Sequence, residues 1–268
     1  MQIVIVRGAG DIASGIIHRL FKSGFKVIAL EIEKPLSIRR TVSFSEAIYD
    51  GETTVEGVKA VFADNVKTAL SILEDGNVPV IIDEEGLSIS QIKPMAVVDA
   101  ILAKKNLGTN RNQAPITIGV GPGFCAGEDV DYVIETKRGH YLGKVIYKGS
   151  AIPNTGIPGL INGYGEERVI KSPCDGLIRH ERNIGDLVKE DDIICYVGDL
   201  KVKSPIKGVI RGLIRENLFV TKSMKIADID PRGEIDYVYT ISDKARAVAG
   251  GVLEAILNGL SKGGYYGY

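Results

Sequence analysis

An apolar strand, Gln2 to Val6, opens this chain and runs into Arg7-Gly8-Ala9-Gly10-Asp11-Ile12-Ala13, which leads straight into a helical pattern. Strand, glycine turn and helix in that order confine the start of the chain to an α/β architecture. In the dinucleotide-binding form of this unit the first glycine makes the tight turn and the second lets a pyrophosphate approach the backbone. The third position is Gly or Ala. Gly8, Gly10 and Ala13 match those places, and the free amides and dipole of the helix start would attract a phosphate.

The flanking pattern supports the unit. Ile12, Ile16 and Leu20, joined by Ile17 and Phe21, form one helical stripe for a sheet to cover. Gly24 ends the helix, and a second apolar strand, Lys26 to Leu30, finishes at Glu31. That carboxylate stands 23 positions after Gly8, close to where a ribose-binding acid is expected. Asp11 complicates the assignment, because at the mouth of a phosphate site it repels an anion unless Arg7 offsets it. Arg39 and Arg40 complicate it differently: a basic pair suits a 2′-phosphate, whereas Glu31 suits a free 2′-hydroxyl. The cofactor candidates are therefore NAD(P), FAD or a molybdopterin nucleotide, alongside the plain alternative that the turn only packs helix on strand.

With 268 residues, 44% of them hydrophobic, the chain can bury one large core or two modest ones, and two are expected. The 33 Lys and Arg nearly cancel the 34 Asp and Glu, and no basic block or aromatic ladder occurs, which argues against a nucleic-acid partner. No apolar stretch approaches the roughly 20 residues that span a bilayer, so a soluble, cytoplasmic protein with no membrane partner is expected. Cys125, Cys174 and Cys195 are three widely spaced cysteines, which suits a reducing compartment. With His18, His140 and His180 in separate segments, no structural metal site is expected.

Farther along, Phe44 to Tyr49 reads as a short helix, Val58 to Phe62 as a strand, Asn65 to Leu73 as a helix and Val78 to Ile82 as a buried strand. Ala96 to Leu102 fits strand or helix, with Asp99 as a candidate site acid at a strand end. Ile116 to Val120 is a further strand. From Val169 the organisation changes. Ser172-Pro173-Cys174-Asp175-Gly176-Leu177-Ile178-Arg179 recurs without a gap, 32 positions on, as Ser204-Pro205-Ile206-Lys207-Gly208-Val209-Ile210-Arg211. A unit of short strands and turns is duplicated. The repeat resembles the barrel-sandwich hybrid of biotinyl and lipoyl domains, and Gly185-Asp186-Leu187-Val188 resembles its characteristic turn. Lys201 lies only four positions before Pro205, too close to display a swinging prosthetic group, so the module reads as structural or interface-forming.

Ala245, Val248, Ala249, Val252, Leu253 and Ile256 then describe an amphipathic helix. The expected architecture is a Rossmann-like parallel-sheet domain over residues 1–165, a duplicated β module inserted at 166–236, and a C-terminal helix, 237–268, returning to the first domain. The Gly- and Tyr-rich tail after Leu260 is expected to fray.

Chemistry is concentrated between residues 119 and 143, GVGPGFCAGEDVDYVIETKRGHYLG. Gly121 and Gly123, with Gly119 and Gly127, permit close ligand approach or positive φ. Cys125 among them is a candidate nucleophile, metal ligand or acceptor of sulfur or selenium, beside the plain alternative of a small apolar residue. Asp129 and Asp131 share one face if the segment is extended, where they can bind a cation, share a proton or face water. His140 is a candidate general acid/base and Arg138 a candidate anion-binding group. Asn154 and Thr155 offer hydrogen bonds at the junction of the two expected domains.

Taken together, RGAGDIASGIIHRL, RRTVSFSEAIYDG, GPGFCAGEDVDYVIETKRGHYLG, GSAIPNTGIPG, KIADIDPRG and ISDKARAVAGGVLEAIL resemble the YqeB-type selenium-dependent molybdenum hydroxylase system proteins over nearly the whole chain. The resemblance implies an accessory role in maturation of selenium-dependent molybdenum hydroxylases, with such an enzyme or its cofactor as partner, and it assigns no catalytic residues. A homo-oligomer is also expected. Two other readings of the residues stand beside it: an NAD(P)-dependent oxidoreductase using His140, and a non-catalytic scaffold.

Overall fold

A computed structural model describes residues 2–154, 156 and 159–262. The chain divides into two units, one of residues 1–35, 43–154 and 241–268, the other of residues 36–42 and 155–240.

Unit 1 is built on one sheet of nine strands. They are β1 (Ile3–Arg7), β2 (Lys26–Glu31), β3 (Glu52–Val55), β4 (Val58–Ala63), β5 (Val78–Ile82), β6 (Ala96–Asp99), β7 (Ile116–Val120), β8 (Tyr132–Ile134) and β9 (Val145–Ile146). Their order is β3-β4-β5-β2-β1-β6-β7-β8-β9. The seven inner strands are parallel, while β3 pairs antiparallel with β4 and β9 antiparallel with β8. β-branched runs such as Ile3-Val4-Ile5-Val6 are buried throughout, as strands covered on both faces must be.

The helices of this unit are α1 (Asp11–Lys22), α2 (Ala47–Asp50), α3 (Val66–Glu74), α4 (Ser88–Ile92) and α5 (Asp243–Lys262). Ile3, Ile5, Ile28, Leu30 and Val97 point to one face of the sheet, where Ala69, Ile72 and Leu73 of α3 and Ile89 of α4 complete a core. Helix α5 packs along α1 and lies against β7, β8 and β9. That packing is backbone-close. A Cβ on Gly15 of α1 would stand 2.7 Å from Ala245 Cβ, and one on Gly251 of α5 would run into the carbonyl oxygen of Gly143. Gly250, one position earlier, faces open space.

Unit 2 comprises β10 (Val169–Lys171), β11 (Gly176–His180), β12 (Leu187–Val188), β13 (Ile193–Val197), β14 (Leu200–Lys203), β15 (Gly208–Leu213), β16 (Phe219–Val220) and β17 (Lys225–Asp230). They form two four-stranded antiparallel sheets, β10-β17-β15-β12 and β14-β13-β11-β16. The duplicated sequence is visible here: β11, β12 and β13 begin at residues 176, 187 and 193, and β15, β16 and β17 at 208, 219 and 225. Each sheet takes strands from both copies. Ile178, Ile194, Ile210 and Ile226, paired by the repeat, share one core. Lys201 lies within β14 opposite Tyr196, beside the two-residue turn that joins β13 to β14.

The expected fold, a Rossmann-like parallel-sheet domain with a barrel-sandwich-hybrid module inserted before the last helix, is corrected in both parts. The large sheet is mixed, because a left-handed turn at Glu56-Gly57 (φ 44° and 75°) folds β3 back on β4 and β9 returns along β8. Irregular loops connect β6 to β7 and β7 to β8, where a doubly wound fold requires helices. The cover on that side comes from α5, at the far end of the chain. Unit 2, for its part, is not inserted at one point. Leu36–Val42 belongs to it: Leu213 N donates to Ile38 O at 2.9 Å, and Arg40 Nε to Leu213 O at 2.8 Å. Gly212 permits that approach, since a Cβ there would lie 2.7 Å from Ile38 Cγ2. Thr155, and the tail from residue 263, lie outside the described residues.

Gly250→Ala is expected to stabilise the protein by about 0.5–1 kcal/mol through helix propensity alone, whereas Gly251→Ala is expected to cost about 1–3 kcal/mol by overpacking. Urea unfolding of both variants checks the contrast, and equal effects would refute the close packing of α5.

The turn between β3 and β4 also holds the start of α5. Glu56 accepts from Ile241 N at 2.8 Å and from Arg246 at 2.7 and 2.9 Å, with His18 nearby at 3.9 Å. Burial acts to raise the Glu56 carboxyl, but these donors outweigh it and hold it below 4.5. Burial takes His18 below 6.5 against the pull of Glu56. For His18 the unfolded chain binds its proton first, so stability falls as pH drops below 6.5. The Glu56 contribution is complete above 4.5 and is lost as pH falls through its lower folded value. Melting temperature should therefore decline on acidification in two steps, with His18→Gln flattening the first and Glu56→Gln the second.

Candidate functional site

Chain order reverses across the sheet at β1: β2, β5 and β4 lie to one side, β6, β7 and β8 to the other. In open α/β sheets the crevice beyond the carboxyl ends of the strands at such a point is the usual ligand position. Gly8 to Asp11 leave β1 there. Gly8 has φ 98°, and a Cβ on it would meet Ala100 O, after β6, at 3.0 Å. Gly10 is the N-cap of α1 at φ −73°, a conformation open to any residue, and Ala13 is buried in the first turn.

Glu31 closes on this turn from the end of β2. Its Oε2 accepts from Ala9 N at 2.8 Å and its Oε1 from Ile32 N at 2.9 Å, while burial raises its carboxyl above the usual range against those two bonds. Ala9 O accepts from Ser14 Oγ and Ser45 N, both at 2.9 Å. The turn is thus braced from two sides before any ligand arrives.

Arg7 does not offset Asp11 in the way its sequence position suggests. It is 2% exposed, as is Asp99. Its guanidinium donates to Thr109 Oγ1 at 2.6 Å and Glu84 O at 2.9 Å, and stands 3.6 Å from Asp99 Oδ2, which accepts from Thr109 Oγ1 at 2.6 Å. Arg7, Thr109 and Asp99 therefore tie the ends of β1 and β6 to the loop after β6. A cation that does reach Asp11 electrostatically is Lys244, which composition and spacing gave no reason to select. It is a half-buried side chain in the first turn of α5, within electrostatic reach of Asp11, Glu135, Asp243 and Arg138. Burial pushes its ammonium below 10.5, Arg138 adds to that, and the three carboxylates oppose it. No direct hydrogen bond or ion pair joins it to the described residues.

The other sequence candidates are dispersed. Gly121 (φ 83°) and Gly123 (φ 114°) do permit close approach, but by the protein itself: Cβ atoms there would meet Thr136 Oγ1 at 2.9 Å and Lys105 Cα at 2.8 Å. Cys125 lies in a turn where its amide donates to Asp129 Oδ2 at 2.8 Å. Asp131 instead accepts from Thr117 N at 2.9 Å and pairs with Arg111 at 2.9 Å, so Asp129 and Asp131 do not form one cation site. Arg138 makes a two-pronged pair with Asp243 at 2.6 and 3.0 Å. His140 is exposed, packed edge-on to Tyr141. No described contact links Cys125, Arg138 and His140 to one another. Arg39 and Arg40 belong to unit 2, where Arg39 donates to Tyr237 O and Thr240 O at 2.9 Å. Among the described residues no group of three or more His, Cys, Asp and Glu is placed to hold a metal ion, and no helix is long and apolar enough to cross a membrane.

These features define an α/β protein with a braced glycine turn and, at the carboxyl edge of its sheet, a lysine with no direct partner among the described residues. The chain is similar to the uncharacterized protein YqeB of Escherichia coli K12, with 53% identity over 256 residues, 96% of its own length. It spans about half, 47%, of that relative. No protein-family model matches the chain. Among solved structures, the product-bound ectoine utilization protein EutE (DoeB) of Ruegeria pomeroyi aligns at 10% identity over 84% of this chain and 56% of that one. An aspartoacylase family protein of Mesorhizobium loti aligns at 13% over 85% and 84%. Both have a TM-score of 0.25, a likeness that carries neither fold nor activity to this chain.

Replacing Arg7 by Leu leaves the Asp99 carboxylate buried opposite no cation, and is expected to cost about 3–5 kcal/mol. Arg7→Leu combined with Asp99→Leu should recover much of that loss in chemical unfolding. A double variant as unstable as the single one would show that Arg7 acts by packing alone.

Proposed function

We propose that this protein is an accessory factor in the maturation of selenium-dependent molybdenum hydroxylases, and that it binds a nucleotide-containing cofactor over the Gly8–Asp11 turn. The maturation role is supported by the resemblance carried by the six sequence phrases. The binding role is supported above all by one observation: a half-buried ammonium, Lys244, has no direct partner among the described residues and lies within electrostatic reach of Asp11, at a braced glycine turn where the strand order reverses. A phosphate there would accept directly from Lys244, which the neighbouring carboxylates reach only at electrostatic range, and from the first-turn amides of α1. Glu31 keeps one further lone-pair site on each oxygen for a ribose hydroxyl. Arg39 and Arg40 donate to main-chain carbonyls of unit 2, which favours a ligand without a 2′-phosphate. Among the described residues His140 has only a ring contact, so the oxidoreductase reading gains no support.

Thermal unfolding with NAD(H), NADP(H), FAD and a molybdopterin nucleotide tests the binding. A ligand at about 100 times its dissociation constant adds about 2.7 kcal/mol, a shift of several degrees. A shift confined to the molybdopterin nucleotide, and lost in Lys244→Met, is the expected result. That variant should itself melt no lower than the parent, since it removes a half-buried charge. Affinity should fall as pH rises through the lowered Lys244 value, because the neutral amine no longer attracts phosphate. A nicotinamide shift lost in Glu31→Ala would favour the oxidoreductase instead, and no shift with any of the four would refute cofactor binding. Full hydroxylase activity in a strain lacking the protein would refute the maturation role.

A further inference from the structure

The opposite edge of the same sheet holds a second opening. At the amino ends of β7 and β8, a cavity of about 420 Å³ is lined by Arg111, Ile116, Tyr132, Tyr147, Gly259 and Lys262 among others. Its volume falls in the range of small-molecule pockets. Gly259 creates part of it, since a Cβ there would press on Ile116 at 2.7 Å.

Two aromatic walls are fixed in place. The rings of Tyr132 and Tyr147 meet edge to face, centroids 5.6 Å apart at 81°. Each is anchored by its hydroxyl: Tyr132 donates to Asn258 Oδ1 at 3.0 Å, and Tyr147 to Glu254 Oε1 at 3.3 Å. Lys262 Nζ stands 5.6 and 5.5 Å from the two ring centroids and pairs with no carboxylate among the described residues. Arg111 spends Nε on Asp131 and Nη1 on Gly127 O, leaving Nη2. Asp131 is already satisfied by Arg111 and by the amide and hydroxyl of Thr117. With Arg111 and Asp131 cancelling, the lining carries one net positive charge, that of Lys262.

We propose that this cavity binds a small planar aromatic anion, its ring against Tyr147 and Tyr132 and its carboxylate or phosphate on Lys262 and Arg111 Nη2. The site is independent of the glycine-turn crevice, which lies at the other ends of the strands. Burial, with Asp131 or Glu254 adjacent, raises both phenols, so the two anchoring hydroxyls stay protonated at neutral pH.

Titrating the full chain with quinoline-2-carboxylate and its uncharged carboxamide, by calorimetry, tests the proposal. Saturable binding of the acid is expected, about tenfold or more tighter than the amide. Lys262→Gln should abolish that preference, and Tyr147→Leu should weaken both ligands about fivefold. Lys262 and Tyr147 are exposed, so both variants should fold, which circular dichroism confirms. Absence of saturable binding up to about 10 mM, equal affinity for acid and amide, or indifference to both substitutions would each overturn the proposal.

Discussion

Everything distinctive about unit 1 depends on how closely α5 can lie against α1 and the turn that follows β8. Helix axes normally stand 8–10 Å apart, and closer approach needs contact points without side chains. Gly15, Gly143 and Gly251 supply them, with Ala245 filling the gap over Gly15. This contact substitutes for the crossover helices that β6, β7 and β8 lack. It also carries the charged first turn of α5, Asp243 and Lys244, to the edge where β1 and β8 end.

Two cations close to that edge have opposite fates. Arg7 is buried, and its charge is answered by Asp99 and by the hydroxyl and carbonyl oxygens around it. Its work is to hold strand ends and loop together. Lys244 is less buried, yet its neighbours lie at electrostatic range only, with two of them committed elsewhere: Glu135 accepts from Lys137 N and Ile152 N, and Asp243 pairs with Arg138. A cation desolvated without a direct partner costs stability, a cost that a binding site recovers when an anion arrives.

Unit 2 shows a different economy. Its repeat places equivalent strands in different sheets, so the repeat-paired isoleucines Ile178 and Ile210, and Ile194 and Ile226, belong to one core. Buried charges are paired there: Arg168 donates to Asp228 at 2.6 Å, and Arg232 to the fully buried Asp230 at 2.6 and 2.9 Å. These acids and Arg232 lie in the phrase KIADIDPRG, where a structural ion network accounts for them.

The sequence alone determined the local elements. β-branched runs marked β1, β2, β5 and β7, the glycine turn marked the start of α1, the 32-residue repeat marked paired strands, and the spacing from Ala245 to Ile256 marked α5. Periodicity reports which face of an element is buried, and turn residues report where the chain must bend; both are short-range properties of the backbone. Only the tertiary structure decided that the large sheet is mixed and that Leu36–Val42 joins unit 2. It alone put Lys244 beside Asp11 across 233 residues, sent Arg7 inward to Asp99, and separated Asp129 from Asp131. It filled the space beside Gly121 and Gly123 with Thr136 and Lys105. Each of these follows from which distant backbones can touch, and that is set by the glycines at the contact and the charges desolvated around it, neither of which leaves a periodic trace in the chain.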